Sequence, residues 1–296
     1  MPGLDKAMYN QAFFRTLRKP GGIEKLNFAI GDYVATKVRE DSFLDKILPP
    51  ETVQPTELQG NEMNDTLYAL CEIEPEDTKA LVLNIDGQPT GKVFSAPRFR
   101  VNFWVNSTRR FEKPERELLA YKMTIKEIVQ RNAVNQLAVL QDTQWLAQCA
   151  AAVTASGKIV VGTGGPDPNR TDLVELINQI DGDQLETDTL LMRKDDWNKI
   201  LKLDSSDIDL GAWETFRNGY TERMLLGRKV IVSVKNVIDP GQIWAFAAPN
   251  FIGKHFVIED AVAEVKSEWG LFQFQIQKYF GFAVGNVNGI ALLQLV

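Results

Sequence analysis

The longest regular pattern in the chain lies between Pro114 and Gly157, a stretch that contains neither glycine nor proline. About 30 residues at about 1.5 Å each predict an α-helical rod of roughly 45 Å. Since the expected radius of gyration for this chain length is only about 19 Å, the rod is as long as the molecule is wide. Its apolar positions recur at three- and four-residue steps and are Ile125, Val129, Ala133, Leu137, Leu140, Ala147 and Ala151, widened by Ile128, Val134, Ala138 and Trp145. Such a strut is typical of a protein whose role is to hold a shape.

The part of the chain before this helix is predicted to contain an arm, a short helix and an extended β-excursion. Residues 1–22 are polar, slightly basic and poor in apolar side chains, so they are interpreted as an arm. A helix is expected over residues 23–40, and Pro49 and Pro50 end the segment that follows it. Strands are expected at 66–74, 80–85 and 98–106 within the excursion, with a turn at 86–91. In the last of them Phe99, Val101, Phe103 and Val105 alternate with Arg100, Asn102 and Trp104, which indicates a half-buried strand.

After Gly157 the pattern becomes α/β. The predicted strands are 158–161, 189–192, 229–234, 244–248 and 256–259, and the predicted helices are 171–180, capped by Asn169 or Thr171, and 194–201. Residues 261–283 are expected to form a long hairpin around Gly270, because three apolar residues from Phe272 alternate with glutamines. The almost wholly apolar segment 289–296 predicts a final strand buried on both faces.

Composition limits the classes of function. A hydrophobic content of 44% and a charged content of 24% are ordinary for a globular protein. A net charge of −6 disfavours a chain whose main role is to bind nucleic acid. No apolar run reaches the roughly 18 residues that would cross a membrane. Cys71 and Cys149 are expected to be reduced thiols, and the one histidine, His255, is expected to be structural, which excludes a His-rich metal site.

Two segments were tested as chemical sites. The glycine-rich loop Gly162–Gly165 lacks the Gly-Lys-Ser/Thr ending of a P-loop and the spacing of a dinucleotide fingerprint, so a plain connection between strand and helix is favoured. The acidic turn from Asp181 to Asp183 places its glycine at the wrong position for a calcium loop. We therefore predict no catalytic residue, no cofactor and no metal.

The β-excursion is strongly polarised in charge. Residues 40–77 contain eleven acidic residues against one lysine, whereas residues 88–116 contain seven basic residues against two acidic ones. Either the two arms of a hairpin neutralise each other, or the excursion meets an oppositely charged patch on another subunit; a nucleic-acid patch is a third interpretation. For the second interpretation, the candidate inter-subunit contacts are Arg98, Arg100, Arg109, Arg110 and Lys113.

Four segments carry a resemblance to a known family. They are FLDKILPPETV (43–53), LETDTLLMRKDDWNKI (185–200), LLGRKVIVS (225–233) and FQIQKYFGFAVGNVNGIALLQL (274–295). With the order of elements, they resemble the major capsid proteins of tailed bacteriophages, whose Hong Kong phage-type fold encapsulin shells share. The resemblance implies an α+β capsid fold, with an N-terminal arm at 1–25 and an extended β-loop at 54–111. It also implies a peripheral domain with the spine helix at 26–53, 112–156 and 256–283, and an α/β axial domain at 157–255 and 284–296.

The function implied by the resemblance is structural and not enzymatic. The chain would assemble with itself into pentamers and hexamers of an icosahedral virion head, built in the host cytoplasm, that encloses double-stranded DNA without binding it specifically. Portal and scaffolding or decoration proteins are the expected partners, with any scaffold a separate protein. An encapsulin-like nanocompartment is the alternative, disfavoured by the 22 polar residues ahead of the first predicted helix. The second alternative is an α/β enzyme that uses the Gly162–Gly165 loop.

Overall fold

The computed structural model describes residues 6–60, 66–72, 98–120, 124–201 and 223–296. The helices in these ranges are α1 (Lys6–Leu17), α2 (Gly22–Asp41), α3 (Leu44–Ile47), α4 (Glu115–Ala120), α5 (Ile125–Val129), α6 (Asn135–Ser156), α7 (Arg170–Asp181), α8 (Lys194–Ile200) and α9 (Pro249–Ile252). A π-helical turn, Gln130–Val134, joins α5 to α6. Together these three elements form one continuous helix, residues 125–156, which we call the spine helix.

The described strands form two sheets of mixed direction. The strands are β1 (Glu51–Thr52), β2 (Gln59–Gly60), β3 (Leu67–Glu72), β4 (Arg98–Ser107), β5 (Phe111–Pro114), β6 (Ile159–Val161), β7 (Thr187–Arg193), β8 (Arg223–Leu225), β9 (Arg228–Ser233), β10 (Gln242–Ala247), β11 (Gly253–Glu268), β12 (Leu271–Val284) and β13 (Ile290–Gln294). One sheet has the order β1-β11-β12-β4-β3-β2, with β5 also paired to β12, and the other has the order β6-β13-β10-β7-β9-β8. Helices together with mixed sheets make the chain an α+β protein, as predicted.

The local predictions for the second half of the chain are confirmed. Helix α7 is capped by Asn169, whose side chain accepts a hydrogen bond from the backbone N–H of Asp172. Strands β11 and β12 form the long hairpin, and Phe272, Phe274 and Ile276 are buried on one of its faces. The apolar residues of β13 are all buried. The predicted strand at 80–85 and the turn at 86–91 lie outside the described residues.

The spine helix joins two hydrophobic cores. Its first half packs with α1, α2 and the hairpin β11–β12, and includes Ile128 and Leu137. Its second half, from Trp145 onward, packs against the six-stranded sheet and helices α7 and α8. Its 32 residues, counted from 125 to 156, correspond to about 48 Å at 1.5 Å each, which confirms the predicted strut.

The buried face of the spine helix after the π-helical turn was predicted only in part: Leu137, Ala138 and Trp145 are buried as expected, and other positions are not. Leu140, Ala147 and Ala151 are exposed, whereas Gln141 and Asp142 are buried. A π-helical turn holds more residues than an α-helical turn, so it rotates everything after it relative to an unbroken 3.6-residue period. Two of the mismatched positions, Leu140 and Ala151, accordingly lie one residue before the buried Gln141 and Ala152.

Two other predictions need correction. Within β4 the alternation fails after Phe103: Val105 is 52% exposed and Asn106 is buried. The reason is that β4 stops pairing with β3 there and starts pairing with β12 beside the spine helix, where the amide of Asn106 bonds Gln144.

The segment interpreted as a polar arm contains helix α1. The amide of Asn10 bonds the carbonyl of Leu118 and accepts from the N–H of Ile125, while Phe14 is buried against Phe272. Few apolar residues suffice because they join a core supplied by other elements. The first described helix thus begins at Lys6, which removes the argument that a long polar segment ahead of it separates the chain from encapsulins.

Candidate assembly surface and buried polar cluster

Arg98 and Arg100 lie on the two-stranded part of the excursion, where β4 pairs with β3. Arg98 donates from Nε and Nη2 to one carboxylate oxygen of Glu72 at 3.1 and 2.8 Å. The side chains of Arg98 and Glu72 are 62% and 60% exposed, so this ion pair contributes only about 0–1 kcal/mol to the stability of the subunit. The guanidinium of Arg100 lies 3.9 Å from the ring centroid of Tyr68. The Arg98–Glu72 pair fits the interpretation that the excursion neutralises its own charge, whereas Arg100 contacts a neutral ring.

Arg109, Arg110 and Lys113 form a separate group at the other end of β4. Arg109 and Arg110 are exposed in the turn between β4 and β5. Lys113 is half-buried on β5, and its Nζ is 3.8 Å from a carboxylate oxygen of Glu117. Because β4 has ten residues, about 30 Å of strand separates this group from Arg98. The five predicted contact residues therefore do not form one patch.

The Gly162–Gly165 loop holds a carboxylate of the protein itself. The backbone N–H and the hydroxyl of Thr163 donate to the two oxygens of buried Asp172 at 3.1 and 2.8 Å. The N–H of Gly162 is used by the carbonyl of Gln294 at 2.7 Å. A phosphate here would face a fixed negative charge and find these donors occupied. The geometry gives the enzyme alternative no phosphate cradle.

The acidic turn is also satisfied internally. Asp181 accepts from the N–H and hydroxyl of Thr187 and pairs with Arg228 at 3.2 Å, while Asp183 pairs with Lys158. Among the described residues, no group of three or more His, Cys, Asp or Glu side chains is placed to hold a metal ion. Within the same ranges, no helix has the length and apolar character to span a membrane.

Sequence reasoning missed a polar cluster inside the protein, where the spine helix meets α3 and the hairpin β11–β12. We call it the junction cluster; its members are Ser42, Asp45, Gln141, Asp142, Lys235, His255 and Lys278. The one signal in the sequence was a polar pair, Gln141–Asp142, three to four residues from Ala138 and Trp145, where helical spacing calls for core residues.

Asp142 binds the chain segment between α2 and α3. Its Oδ1 accepts from the hydroxyl of Ser42 at 2.7 Å and from the backbone N–H groups of Phe43 and Leu44 at 3.1 and 3.2 Å. Its Oδ2 accepts from Lys235 Nζ at 3.0 Å. Burial raises the pKa of Asp142, and the charge of Lys235 and these hydrogen bonds oppose that rise. The carboxylate thus fixes the start of α3 against the spine helix.

Asp45 and Lys278 extend the cluster to the hairpin. The amide of Gln141 donates to Asp45 at 2.7 Å and accepts from Lys278 Nζ at 3.0 Å. Lys278 Nζ also lies 3.8 Å from Asp45 and 3.7 Å from Asp260, so this buried cation is compensated by two carboxylates. Burial raises the pKa of Asp45 to about 6, with Lys278 acting in the opposite direction.

His255 has the structural role that was predicted for it. Its ring is buried, with Nδ1 3.2 Å from the carbonyl of Leu48. Burial, together with the positive charge of Lys278, lowers the pKa of His255 to about 3, so the ring is neutral at physiological pH. Its approach to Asp45, at 3.5 Å, is therefore not an ion pair at that pH, and Nδ1–H donates to Leu48. The junction cluster positions chain segments and does not resemble a catalytic site.

The sequence by itself matches no described protein family, and no curated protein is significantly similar to it. The fold, by contrast, is similar to several solved structures. One is from Mycobacterium phage Adephagia, with a TM-score of 0.59 and 12% identity, covering 86% of this chain and 90% of that chain. Another is the capsid structure of Cyanophage P-SCSP1u, with a TM-score of 0.58 and 12% identity, covering 87% of each chain.

A third similar structure comes from a virus-like particle of Pyrococcus furiosus. Its TM-score is 0.55 and its identity 15%, and the match covers 90% of this chain and 99% of that chain. These three likenesses cover 86–90% of this chain. The chain therefore has the fold of the phage major capsid proteins.

Proposed function

We propose that this chain is the structural major capsid protein of a tailed phage. It assembles with itself into pentamers and hexamers that form an icosahedral head around double-stranded DNA, in the host cytoplasm, and it remains in the virion. The observation that carries the proposal is the likeness in fold to the capsid of Cyanophage P-SCSP1u over 87% of both chains. Portal and scaffolding or decoration proteins are the further partners that such a head requires.

Under this proposal, residues 54–111 are the loop that contacts a neighbouring subunit, and residues 157–255 with 284–296 surround the symmetry axes. The continuous spine helix that connects the two cores supports a shell role, because closed assemblies need interfaces held at a fixed rotation. A net charge of −6 also suits a container, since each phosphate that the wall neutralised would add affinity for the DNA inside.

A nanocompartment without a viral genome is the second candidate. It is favoured by the likeness to the virus-like particle from Pyrococcus furiosus, which covers 99% of that chain. The contents separate the two candidates: a phage head encloses double-stranded DNA, whereas a nanocompartment encloses a cargo protein.

The test is assembly of the purified chain. Sedimentation and negative-stain microscopy are expected to show capsomers or closed particles of uniform size, alone or with the scaffold and portal of the same phage. DNA protected from nuclease inside particles taken from producing cells supports the head, and a protein cargo in place of DNA supports the nanocompartment. A chain that stays monomeric at all concentrations, with those components supplied, contradicts both.

A further inference from the structure

Two hairpin turns in this protein have nearly the same backbone. Between β11 and β12 the loop is Trp269–Gly270, with φ of 52° and 74°; between β8 and β9 it is Leu226–Gly227, with φ of 52° and 76°. Two-residue loops with positive φ at both positions are type I′ turns, which favour Asn or Gly at the first position. A bulky side chain in the left-handed region is an outlier that carries steric strain. Both turns therefore place an unfavourable residue at that position.

Among the described residues, only the Leu226 turn gains a packing contact that offsets this strain. Leu226 is half-buried and packs against the core of the six-stranded sheet. Trp269 is 99% exposed. Its indole thus adds strain at the turn and leaves a large apolar surface in water, without a compensating contact among the residues of its own subunit that the structure describes. The compensation is expected outside the subunit, since exposed Trp is among the residues that most often anchor interfaces.

The surroundings of Trp269 indicate what kind of surface meets it. Leu271 and Pro114, which face each other across β12 and β5, are exposed beside it and extend the apolar tip. The charges around this tip are mixed, with Glu112, Glu115, Glu117 and Glu268 beside Arg18, Lys113 and Arg116, and Arg18 is paired with Glu115 at 2.7 Å. A nucleic acid or an anionic membrane would instead require an excess of positive charge. Mixed charge without a positive excess, around an aromatic residue, suits a protein surface of similarly mixed charge.

We propose that Trp269 anchors the hairpin tip of one subunit to a second copy of this chain. The inference rests on the proposed function, which supplies a partner of the same mixed charge at every contact. A buried Trp covers about 150–250 Å², against about 800 Å² per partner in a stable interface. The ring is thus one anchor within a wider contact. That contact continues along β5 toward Arg110, about 14 Å from Pro114 at 3.4 Å per residue.

The experiment compares Trp269→Asn with Leu226→Asn, in which the same change is made at matching turn positions. Asn tolerates the left-handed backbone better than Trp or Leu, so the backbone effect favours both variants. For Trp269→Asn, the melting temperature of unassembled subunits should stay the same or rise, because no packing is lost. For Leu226→Asn it should fall, because the leucine leaves the core.

Assembly of Trp269→Asn should be impaired even though the melting temperature of its subunits is not lowered. Trp269→Asn is expected to raise the protein concentration at which particles appear in light scattering by about 30-fold or more, the effect of losing an interface hot spot. Assembly of this variant at the wild-type threshold overturns the inference while leaving the proposed function intact. A melting temperature lowered as much as by Leu226→Asn overturns it too, because Trp269 would then serve its own subunit. Loss of DNA or vesicle binding with assembly unchanged assigns the tip to that ligand instead. A wild-type chain that never self-associates contradicts both proposals.

Discussion

Replacing Asp142 by alanine tests whether the junction cluster holds the two halves of the subunit together. The substitution leaves the hydroxyl of Ser42 and the N–H groups of Phe43 and Leu44 without their shared acceptor, and it leaves Lys235 without its carboxylate. An unsatisfied buried donor costs about 1–3 kcal/mol. Breaking a buried ion pair by removing one partner costs about 3–5 kcal/mol in all. Since the donors and the ion pair share this one carboxylate, we expect the free energy of unfolding to fall by about 3–5 kcal/mol.

The assay is chemical and thermal unfolding of unassembled subunits at pH 7. At roughly 2–4 °C per kcal/mol for a chain of this size class, the melting temperature should fall by about 10 °C. Ser42→Ala removes one donor to Asp142 and the acceptor of weaker bonds from Gln141 and the N–H of Asp45, and should cost about 1–3 kcal/mol. In the double variant the two costs should fail to add, because both changes act on the same hydrogen bond.

The matched control is Thr143→Ala, the next residue of the spine helix, which is exposed. Its effect should stay within about 0.5 kcal/mol, the usual range for surface positions. If Asp142→Ala costs no more than this control, the cluster does not secure the junction and the reasoning is refuted.

Three further changes have defined outcomes. The pKa of His255 is lowered from 6.5 to about 3 in the folded state, so the fold loses stability as the pH falls from 6.5 to 3. The pKa of Asp45 is raised from 3.8 to about 6, so its protonation adds stability as the pH falls from 6 to 3.8. Asp45→Asn should therefore steepen the loss of stability below pH 6, to at most about 1.4 kcal/mol per pH unit in urea titrations; an unchanged slope contradicts the coupling. Arg109→Glu with Arg110→Glu should leave subunit melting unchanged but give fewer closed particles and greater salt sensitivity; normal assembly would exclude both as contacts. Gly281→Ala places Cβ 2.4 Å from a backbone oxygen of β4, so it should cost about 1–3 kcal/mol; wild-type melting would show that β12 and β4 separate easily.

Much of the local structure was determined by the sequence alone. The hairpin β11–β12 followed from apolar residues alternating with glutamines around Gly270, and the cap of α7 followed from Asn169. The apolar run Ile290–Leu293 of β13 predicted its own burial. These features are decided by backbone periodicity and by neighbours a few residues away, which a sequence displays directly. The order of elements, together with the four segments that resemble the family, was also enough to identify the fold.

The tertiary structure decided which polar side chains are buried. Asp142 is compatible with an exposed helical position until Ser42, one hundred residues earlier, is brought against it. The π-helical turn at 130–134 is likewise invisible in the apolar spacing, yet it determines which residues face the second core. The alternation of β4 changed at Val105 because the spine helix covers its other face.

The charged excursion also shows which properties the sequence determined and which only the folded chain decided. Composition alone showed an acidic arm and a basic arm, but the pairing of β3 with β4 decided that Arg98 contacts Glu72 in its own subunit. The strand length decided that Arg109 and Arg110 lie far from it. A sequence records the charge at each position, whereas the energy of a charge depends on distance and burial, which the folded chain alone defines.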